Sequence, residues 1–243
     1  MAAPIKTEGV VLRSLRYGEA DRILHVYTRD RGRIGAIAKG IRRSRSRFGG
    51  RLEPFSHVAL LLHEGRSDLM TVTGADTIRS HARLREDGAA LDAAARACDA
   101  VGRLFETDEP HPAVLHLLLN ELALLEGGVA GTTRATHANQ LAFRLKLLLA
   151  AGLAPQLAAC ASCGERDHLG GFSGAAGGVV CTACEAGAFG LSEEAHGFMV
   201  AALGRPLAEA PGASDRALRQ AERAIGATVE HHGGIRLRPA LAG

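Results

Sequence analysis

Four cysteines arranged as two C-x-x-C pairs are the residues whose types and spacing most directly predict chemistry in this sequence. The first pair is Cys160 and Cys163, and the second pair, Cys181 and Cys184, follows after seventeen intervening residues. Each pair can form a tight turn that presents two thiolates to one ion, and two such turns complete a tetrahedral zinc site. Four protein ligands leave no position open for water or substrate. We therefore expect a structural zinc ion, one per chain, and no chemistry at the metal.

Disulfides and unrelated buried thiols are the alternatives for these cysteines. No signal peptide is recognisable in the sequence, which favours a reducing cytoplasm and therefore zinc over disulfides. The residues 168–180 between the pairs include five glycines. We expect this segment to have no core of its own, so that a metal ion would supply its order. The fifth cysteine, Cys98, has helical spacing with apolar neighbours and is predicted to be a small core residue.

A basic segment at residues 39–51 is the second group with a predicted role. Six of its thirteen residues are Lys or Arg, and none is acidic. Mutual repulsion among these charges favours a polyanionic partner, such as nucleic acid, over a membrane surface or bare solvent. If the segment is extended, Arg43, Arg45 and Arg47 point to the same side, because side chains alternate along an extended chain. The candidate nucleic-acid-binding residues are Lys39, Arg42, Arg43, Arg45, Arg47 and Arg51.

Charge is distributed unevenly along the 243 residues. Residues 1–80 contain 15 Lys and Arg against 8 Asp and Glu, whereas residues 81–243 contain 14 against 18. This asymmetry predicts a polyanion-binding N-terminal part and a different role for the remainder. The longest uncharged run, residues 147–164, is interrupted by Gly and Pro and is too polar to span a bilayer, so we expect a soluble protein.

The elements that must position these groups also divide the chain. Residues 1–80 contain five segments of strand character separated by short turns, which favours a closed five-stranded OB-fold barrel that binds nucleic acid. From residue 81 the apolar periodicity becomes helical, and we predict five helices, with the cysteine pairs between the third and the fourth. The predicted fold class is α+β and multidomain, with an OB-fold over 1–80 and a mostly α-helical domain over 81–243. A four-cysteine zinc module is inserted in the latter at 157–188.

Five short motifs in the N-terminal part are specific in combination. They are EGVVL (8–12), YGEAD (17–21), GRI (32–34), AKGIRRSRSR (38–47) and LEPF (52–55). Together with the C-x-x-C pairs and the order of barrel, helices and zinc module, they resemble the zinc-containing branch of the RecO family of bacterial DNA repair and recombination mediators. The resemblance covers nearly the whole chain.

This resemblance implies an N-terminal OB-fold, a helical domain and a zinc module inserted in the helical part. It also implies binding of single- and double-stranded DNA, annealing of complementary strands, and a location in the cytoplasm on the nucleoid. The implied partners are RecR and single-stranded DNA-binding protein, with which the protein would help to load the recombinase, and RecF is a further candidate. The barrel offers chiefly Tyr17, Tyr27, Phe48 and Phe55 for base stacking, and some of these must be core. We therefore expect phosphate contacts to dominate DNA binding.

An enzyme and a protein–protein adaptor are the two other classes of function to compare with a DNA-binding protein. An enzyme is not expected, because the glycines at 171, 174 and 177 lack the G-K-[ST] ending of a phosphate-binding loop and no acidic cluster suggests a nuclease metal site. The alternative function is a zinc-containing protein–protein adaptor, or another nucleic-acid-binding module without annealing activity.

Overall fold

The computed structural model describes residues 3–46, 48–65, 68–127 and 135–240. The chain divides into two units, Met1–Glu126 and Gly127–Gly243. The first unit contains the five strands predicted for residues 1–80 and also two of the predicted helices. The assignment of nucleic-acid binding to 1–80, of a helical domain to 81–243 and of a zinc module to 157–188 stays a prediction.

A closed five-stranded barrel forms the start of the first unit. Neighbouring strands are antiparallel except the third and fifth, which pair in parallel. This arrangement confirms the predicted OB-like barrel and its five strands. The strands are β1 (Ile5–Tyr17), β2 (Asp21–Thr28), β3 (Arg33–Ala38), β4 (His57–His63) and β5 (Met70–Arg79), in the spatial order β1-β2-β3-β5-β4.

The long strand β1 closes the barrel because it pairs with two partners. Its first half pairs with β4, and it also pairs with β2 up to the hairpin turn. The register with β2 shifts between Val11 and Arg13, as at a β-bulge, and bulges bend strands at the corners of barrels. A Cβ atom at Gly9 would lie 2.3 Å from the carbonyl oxygen of Tyr27, so glycine permits the close approach of β1 and β2.

The barrel interior is filled by aliphatic side chains that alternate along the strands. In β4, Val58, Leu60 and Leu62 are buried, as the alternation in the sequence predicts. Phe48 and Leu52 belong to the connection between β3 and β4, and they are also buried in this core. The connection that carries the basic segment is therefore part of the folded barrel.

Two helices complete the first unit. They are α1 (Gly88–Leu104) and α2 (Pro112–Leu125), and both contact β1. Asp87 caps α1, because its carboxylate accepts hydrogen bonds from the backbone N–H groups of the first turn. Tyr27 of β2 packs edge-to-face on Phe105, with 6.1 Å between the ring centroids. Cys98 is buried in α1 as predicted, and burial raises the pKa of its thiol.

The second unit contains three helices and a small sheet. Each helix begins at a Thr or Ser whose hydroxyl accepts a hydrogen bond from the third N–H of the helix, namely Thr136, Ser192 and Ser214. Among the described residues, none of the helices of either unit has the length and hydropathy that crossing a bilayer requires. The helices are α3 (His137–Ala150), α4 (Glu193–Gly204) and α5 (Asp215–His232), and the sheet has the order β7-β6-β8, with β6 (Leu169–Ser173), β7 (Gly178–Cys181) and β8 (Phe189–Gly190).

Candidate metal centre and nucleic-acid interface

The sulfurs of the two C-x-x-C pairs lie together in the second unit. The Sγ atoms of Cys160, Cys163, Cys181 and Cys184 are all within 4.8 Å of one another, and no other cluster of potential metal ligands occurs in the described part of the chain. Zn–S bonds of about 2.3 Å in a tetrahedron place the sulfurs about 3.8 Å apart. The sulfurs of Cys163 and Cys181 are 3.7 Å apart, and all five cysteines are free thiols. The cluster therefore fits one metal ion with four thiolate ligands.

Backbone hydrogen bonds shape the first pair into a tight turn. The N–H of Gly164 donates to the carbonyl of Cys160 (2.9 Å), and the N–H of Cys160 donates to the carbonyl of Glu165 (2.6 Å). Gly164 has a φ of +81°, a conformation that glycine adopts without steric cost. The turn is tied to the second pair because the N–H of Ala161 donates to the carbonyl of Val179 in β7 (2.8 Å), and β7 ends at Cys181.

The segment between the pairs forms a β-hairpin whose buried residues pack with residues outside it, among them Cys160, Cys181 and Phe189. Phe172 of β6 and Val180 of β7 are buried. Its glycines allow backbones to approach closely. A Cβ atom at Gly178 would lie 2.2 Å from the carbonyl oxygen of Gln156, and these two residues form a parallel β-bridge. The hairpin thus holds the second pair against the chain that leads into the first pair.

Hydrogen bonding within the cluster separates the acidities of its thiols. Backbone N–H groups, foremost that of Cys181, lower the pKa of the Cys160 thiol to about 6. Hydrogen bonds to the sulfurs of Cys163 and Cys181 raise the pKa of Cys184 to about 12. Several thiolates at such distances repel one another, and a divalent cation removes that repulsion and deprotonates its ligands. The cluster is therefore suited to bind such a cation with release of protons.

The basic segment is a series of turns and is not extended over residues 40–46. The N–H of Arg43 donates to the carbonyl of Gly40 (3.1 Å), and the N–H of Ser46 donates to the carbonyl of Arg43 (3.0 Å). Strand-like alternation therefore does not set the directions of Arg43 and Arg45. Arg47, the third residue of that prediction, lies outside the described residues.

Hydrogen bonds fix the start of the basic segment, and a buried ring fixes its end. The N–H of Gly40 donates to the carboxylate of Asp21 (2.7 Å), and the N–H of Arg42 donates to the carbonyl of Ala20 (2.9 Å). Ala20 ends the turn between β1 and β2, and Asp21 is the first residue of β2. Near the other end, Phe48 is buried in the barrel core. The segment is therefore held against the β1–β2 hairpin.

The candidate nucleic-acid-binding side chains are exposed wherever the structure describes them. Arg42 donates to the carbonyl of Glu19 (3.0 Å), and Arg51 donates to the carbonyl of Phe48 (3.3 Å), so these two also stabilise the turns. In the described part of the chain, no acidic side chain forms an ion pair with Lys39, Arg42, Arg43 or Arg45. The exposed residues are Lys39, Arg42, Arg43, Arg45 and Arg51. Whether they contact nucleic acid stays a prediction.

Arg85 is a basic residue that sequence reasoning did not connect with this segment. It lies in a short 3-10 helix after the barrel, and its guanidinium donates to the carbonyl of Pro54 (3.0 Å). Arg85 follows Pro54 by 31 positions, a separation at which no local sequence pattern predicts a contact, because only the fold brings the two residues together. Arg85 adds an exposed positive charge close to the end of the basic segment.

Two family models match this chain. The model described as Recombination protein O N terminal matches residues 1–81, and the model described as Recombination protein O C terminal matches residues 85–239. The chain belongs to the RecO family. The resemblance that the N-terminal motifs indicate is thereby confirmed, and RecO proteins are DNA repair mediators that are not known as enzymes.

Relatives within the RecO family cover most of the chain. A DNA repair protein RecO of Rubrobacter xylanophilus is 42% identical over 226 residues, which is 90% of this chain and 88% of that protein. A RecO of an Anaeromyxobacter species is 36% identical over 249 residues, 98% of this chain and 94% of its own. The RecO of Thermobifida fusca is 36% identical over 231 residues, 93% of each chain. Membership in this family supports a role in DNA repair and recombination.

Proposed function

We propose that this RecO-family protein is a recombination mediator that binds single- and double-stranded DNA and anneals complementary strands. The observation that carries the proposal is the exposed set of Lys and Arg side chains held on an OB-like barrel. Lys39, Arg42, Arg43, Arg45, Arg47 and Arg51 would contact phosphates. Arginine suits this task because its guanidinium stays charged and can donate two parallel hydrogen bonds to a phosphate.

Annealing requires two polyanions to approach one another closely. Cationic side chains reduce the repulsion between the two strands, and the free energy of base pairing then drives the reaction. This task needs neither nucleotide hydrolysis nor an added divalent ion. The proposed role is accordingly that of a binding protein and not that of an enzyme.

The partners that we propose are those that the resemblance to the RecO family implies. They are RecR and single-stranded DNA-binding protein, with which the protein would help to load the recombinase, and RecF is a further candidate. We place this activity in the cytoplasm, on the nucleoid. The acidic balance of residues 81–243, 18 Asp and Glu against 14 Lys and Arg, is compatible with a protein-binding role for that part.

We further propose that Cys160, Cys163, Cys181 and Cys184 hold one structural zinc ion. Their sulfurs already stand at separations that suit a tetrahedral site. When bound, the ion supplies a crosslink between the first turn and the β6–β7 hairpin. Cys160 and Cys163 lie on one turn, which the hydrogen bond from the N–H of Gly164 to the carbonyl of Cys160 closes.

An annealing assay tests the proposed function directly. Two complementary oligonucleotides, one carrying a fluorophore and the other a quencher, are mixed with the purified protein without ATP and without divalent ions. We expect the protein to accelerate quenching over the spontaneous rate. Strict dependence on ATP hydrolysis by this chain would contradict the proposal. Absence of any DNA affinity at low salt would instead favour the adaptor alternative.

Charge reversal at Arg43 and Arg45 tests the site. Each phosphate contact with a single strand contributes about −0.7 to the slope of log affinity against log salt concentration, so Arg43→Glu with Arg45→Glu should flatten that slope by about 1.4. Affinity at low salt should fall, and the thermal unfolding temperature should hardly change, because both side chains are exposed.

A matched control separates this site from a general effect of net charge. Arg216 and Arg219 are exposed on α5 in the second unit, and their replacement by Glu changes the net charge by the same amount. We expect the control variant to keep the wild-type salt slope. Equal losses in both variants would show that net charge, and not the basic segment, determines DNA affinity.

A further inference from the structure

Tyr17 stands apart from every other aromatic side chain of this protein. The chain has two Tyr, seven Phe and no Trp, and the structure describes all nine rings. Tyr17 is 53% exposed and is the one exposed ring among them. Tyr27, Phe48 and Phe55, the other aromatic residues of the barrel region, are buried. A single exposed ring is common on protein surfaces, so its surroundings decide whether it has a role.

The register of the barrel places Tyr17 at the end of an apolar row. Tyr17 is the last residue of β1, and two positions earlier Leu15 pairs with Ile23 of β2. Ile23 in turn pairs with Ile37 of β3. Leu15, Ile23 and Ile37 are all half-buried, so this row is neither core nor fully solvated. Because side chains alternate along a strand, Tyr17 and Leu15 lie on the same face.

That face is the outside of the barrel. Leu24 is the neighbour of Ile23 in β2 and is buried in the barrel core, so Ile23 points to the opposite side. In small OB-fold barrels the surface of the second and third strands and the loop after the first strand are where oligonucleotides bind. Here that loop is the turn that follows Tyr17.

Positive charges border this outer face. Arg13 is exposed and pairs with His25, two positions before Leu15. Lys39 is exposed and lies two positions beyond Ile37. At the Tyr17 end, the N–H of Gly40 in the basic segment donates to the carboxylate of Asp21, the β2 residue that pairs with Tyr17. A nucleic-acid strand whose phosphates contact these cations would place its bases near the ring of Tyr17 and the apolar row.

We infer that the outer face of β1, β2 and β3 binds unpaired bases, with Tyr17 as the stacking residue. This inference rests on the proposed DNA binding. It adds a preference for single-stranded DNA, which phosphate contacts by the arginines would not give. Phosphate contacts form with single strands and duplexes alike, whereas an aromatic ring can stack only on a base that is not already stacked in a duplex. Stacking accepts any base, so no sequence preference arises from it.

Replacement of Tyr17 by Ala and by Phe tests the inference with the full-length protein. The ligands are an oligothymidylate and a blunt duplex of equal length. Tyr17→Ala should weaken binding of the oligothymidylate by about 5- to 150-fold, the range that loss of one stacked base gives. Its affinity for the duplex should stay within about twofold of wild type, because no phosphate contact is removed. For the same reason, the salt slope on each ligand should stay within about 0.3 of the wild-type slope. Tyr17→Phe should bind the oligothymidylate like wild type, since phenylalanine keeps the ring.

Tyrosine fluorescence gives a second measurement that does not depend on affinity. With no Trp in the chain and Tyr27 fully buried, a base can stack only on Tyr17 among the two tyrosines. Saturation with oligothymidylate should therefore quench the tyrosine emission of the wild type, after correction for absorption by the oligonucleotide. In Tyr17→Phe the oligonucleotide should still bind but the quenching should disappear.

The outcomes distinguish this inference from the proposed function. If the wild type binds neither ligand, the proposed function and the inference about Tyr17 are both overturned. If the wild type binds and Tyr17→Ala matches it on the oligothymidylate, or if the quenching persists in Tyr17→Phe, only the inference is overturned. Equal losses of Tyr17→Ala on both ligands, or a reduced salt slope, also overturn it, since stacking would change neither duplex binding nor the number of phosphate contacts.

Discussion

At the level of single residues, Cys98 differs from the four clustered cysteines in the surroundings of its thiol. Cys98 is a buried residue of α1, and burial raises the pKa of its thiol, as expected for a small core residue. Cys160 is also buried, but backbone N–H groups that point at its sulfur lower its pKa to about 6. A thiol with a lowered pKa, close to three other sulfurs, is chemically suited to bind a metal ion.

Serine substitutions should reveal this difference. We expect about one zinc ion per wild-type chain. Cys163→Ser should lose most of that zinc and unfold at a lower temperature, because structural zinc contributes on the order of 10–16 kcal/mol of apparent binding free energy. The Cys163 residue is exposed, so lost packing would not explain the effect. Cys98→Ser is the control and should keep its zinc, whatever its own stability.

Metal analysis of the purified proteins measures the bound zinc, thiol titration counts the free cysteines, and thermal unfolding gives the stability of each variant. A wild-type protein without zinc, and with two disulfides in place of four titratable thiols, would contradict the assignment. Loss of zinc in Cys98→Ser would contradict it as well, since that residue lies outside the cluster.

At the level of elements, local periodicity was enough to predict the barrel strands and all five helices. The alternation of buried positions in β4 and the Ser and Thr caps of α3, α4 and α5 are properties of neighbouring residues, and the structure contains them. The β6–β7 hairpin was missed because its glycines lack the side chains that produce a periodic signal. Likewise, the turns of the basic segment depend on Asp21 and on burial of Phe48, which are contacts with distant parts of the chain.

The hairpin of the second unit allows a test of this role of glycine. A Cβ atom at Gly178 would lie 2.2 Å from the Gln156 carbonyl oxygen and 2.8 Å from the Gln156 backbone nitrogen. Because backbone atoms would have to shift, Gly178→Ala should destabilise the second unit by about 1–3 kcal/mol. It should also lower the affinity for zinc, since β7 leads directly into Cys181.

Gly170 in β6 is the matched control, because a Cβ atom there would have no neighbour within 4 Å. Gly170→Ala should keep the wild-type stability and zinc affinity. Denaturant unfolding and competition with a zinc chelator measure the two effects. Equal behaviour of the two variants would show that the approach of Gly178 to Gln156 does not contribute to stability.

At the level of the whole molecule, the two candidate sites belong to different units. The basic segment and Tyr17 lie in the unit Met1–Glu126, and the four clustered cysteines lie in the unit Gly127–Gly243. Each unit has its own buried apolar residues. Charge does not follow this boundary: the acidic residues that offset the basic N-terminal part lie mainly in residues 81–126 of the first unit, with 9 Asp and Glu against 4 Lys and Arg, whereas residues 127–243 contain 9 against 10.

Removal of zinc should therefore affect stability and DNA binding differently. Treatment with a strong chelator should lower the unfolding temperature of the second unit and leave the salt slope of DNA binding within about 0.3 of wild type, because no phosphate contact of the first unit is lost. Calorimetry would follow the unfolding, and titrations of an oligothymidylate at several salt concentrations would follow the binding. Addition of zinc should restore the original unfolding temperature. If the chelated protein keeps its stability but loses DNA affinity, the metal centre takes part in DNA binding and the proposed division between the two units is wrong.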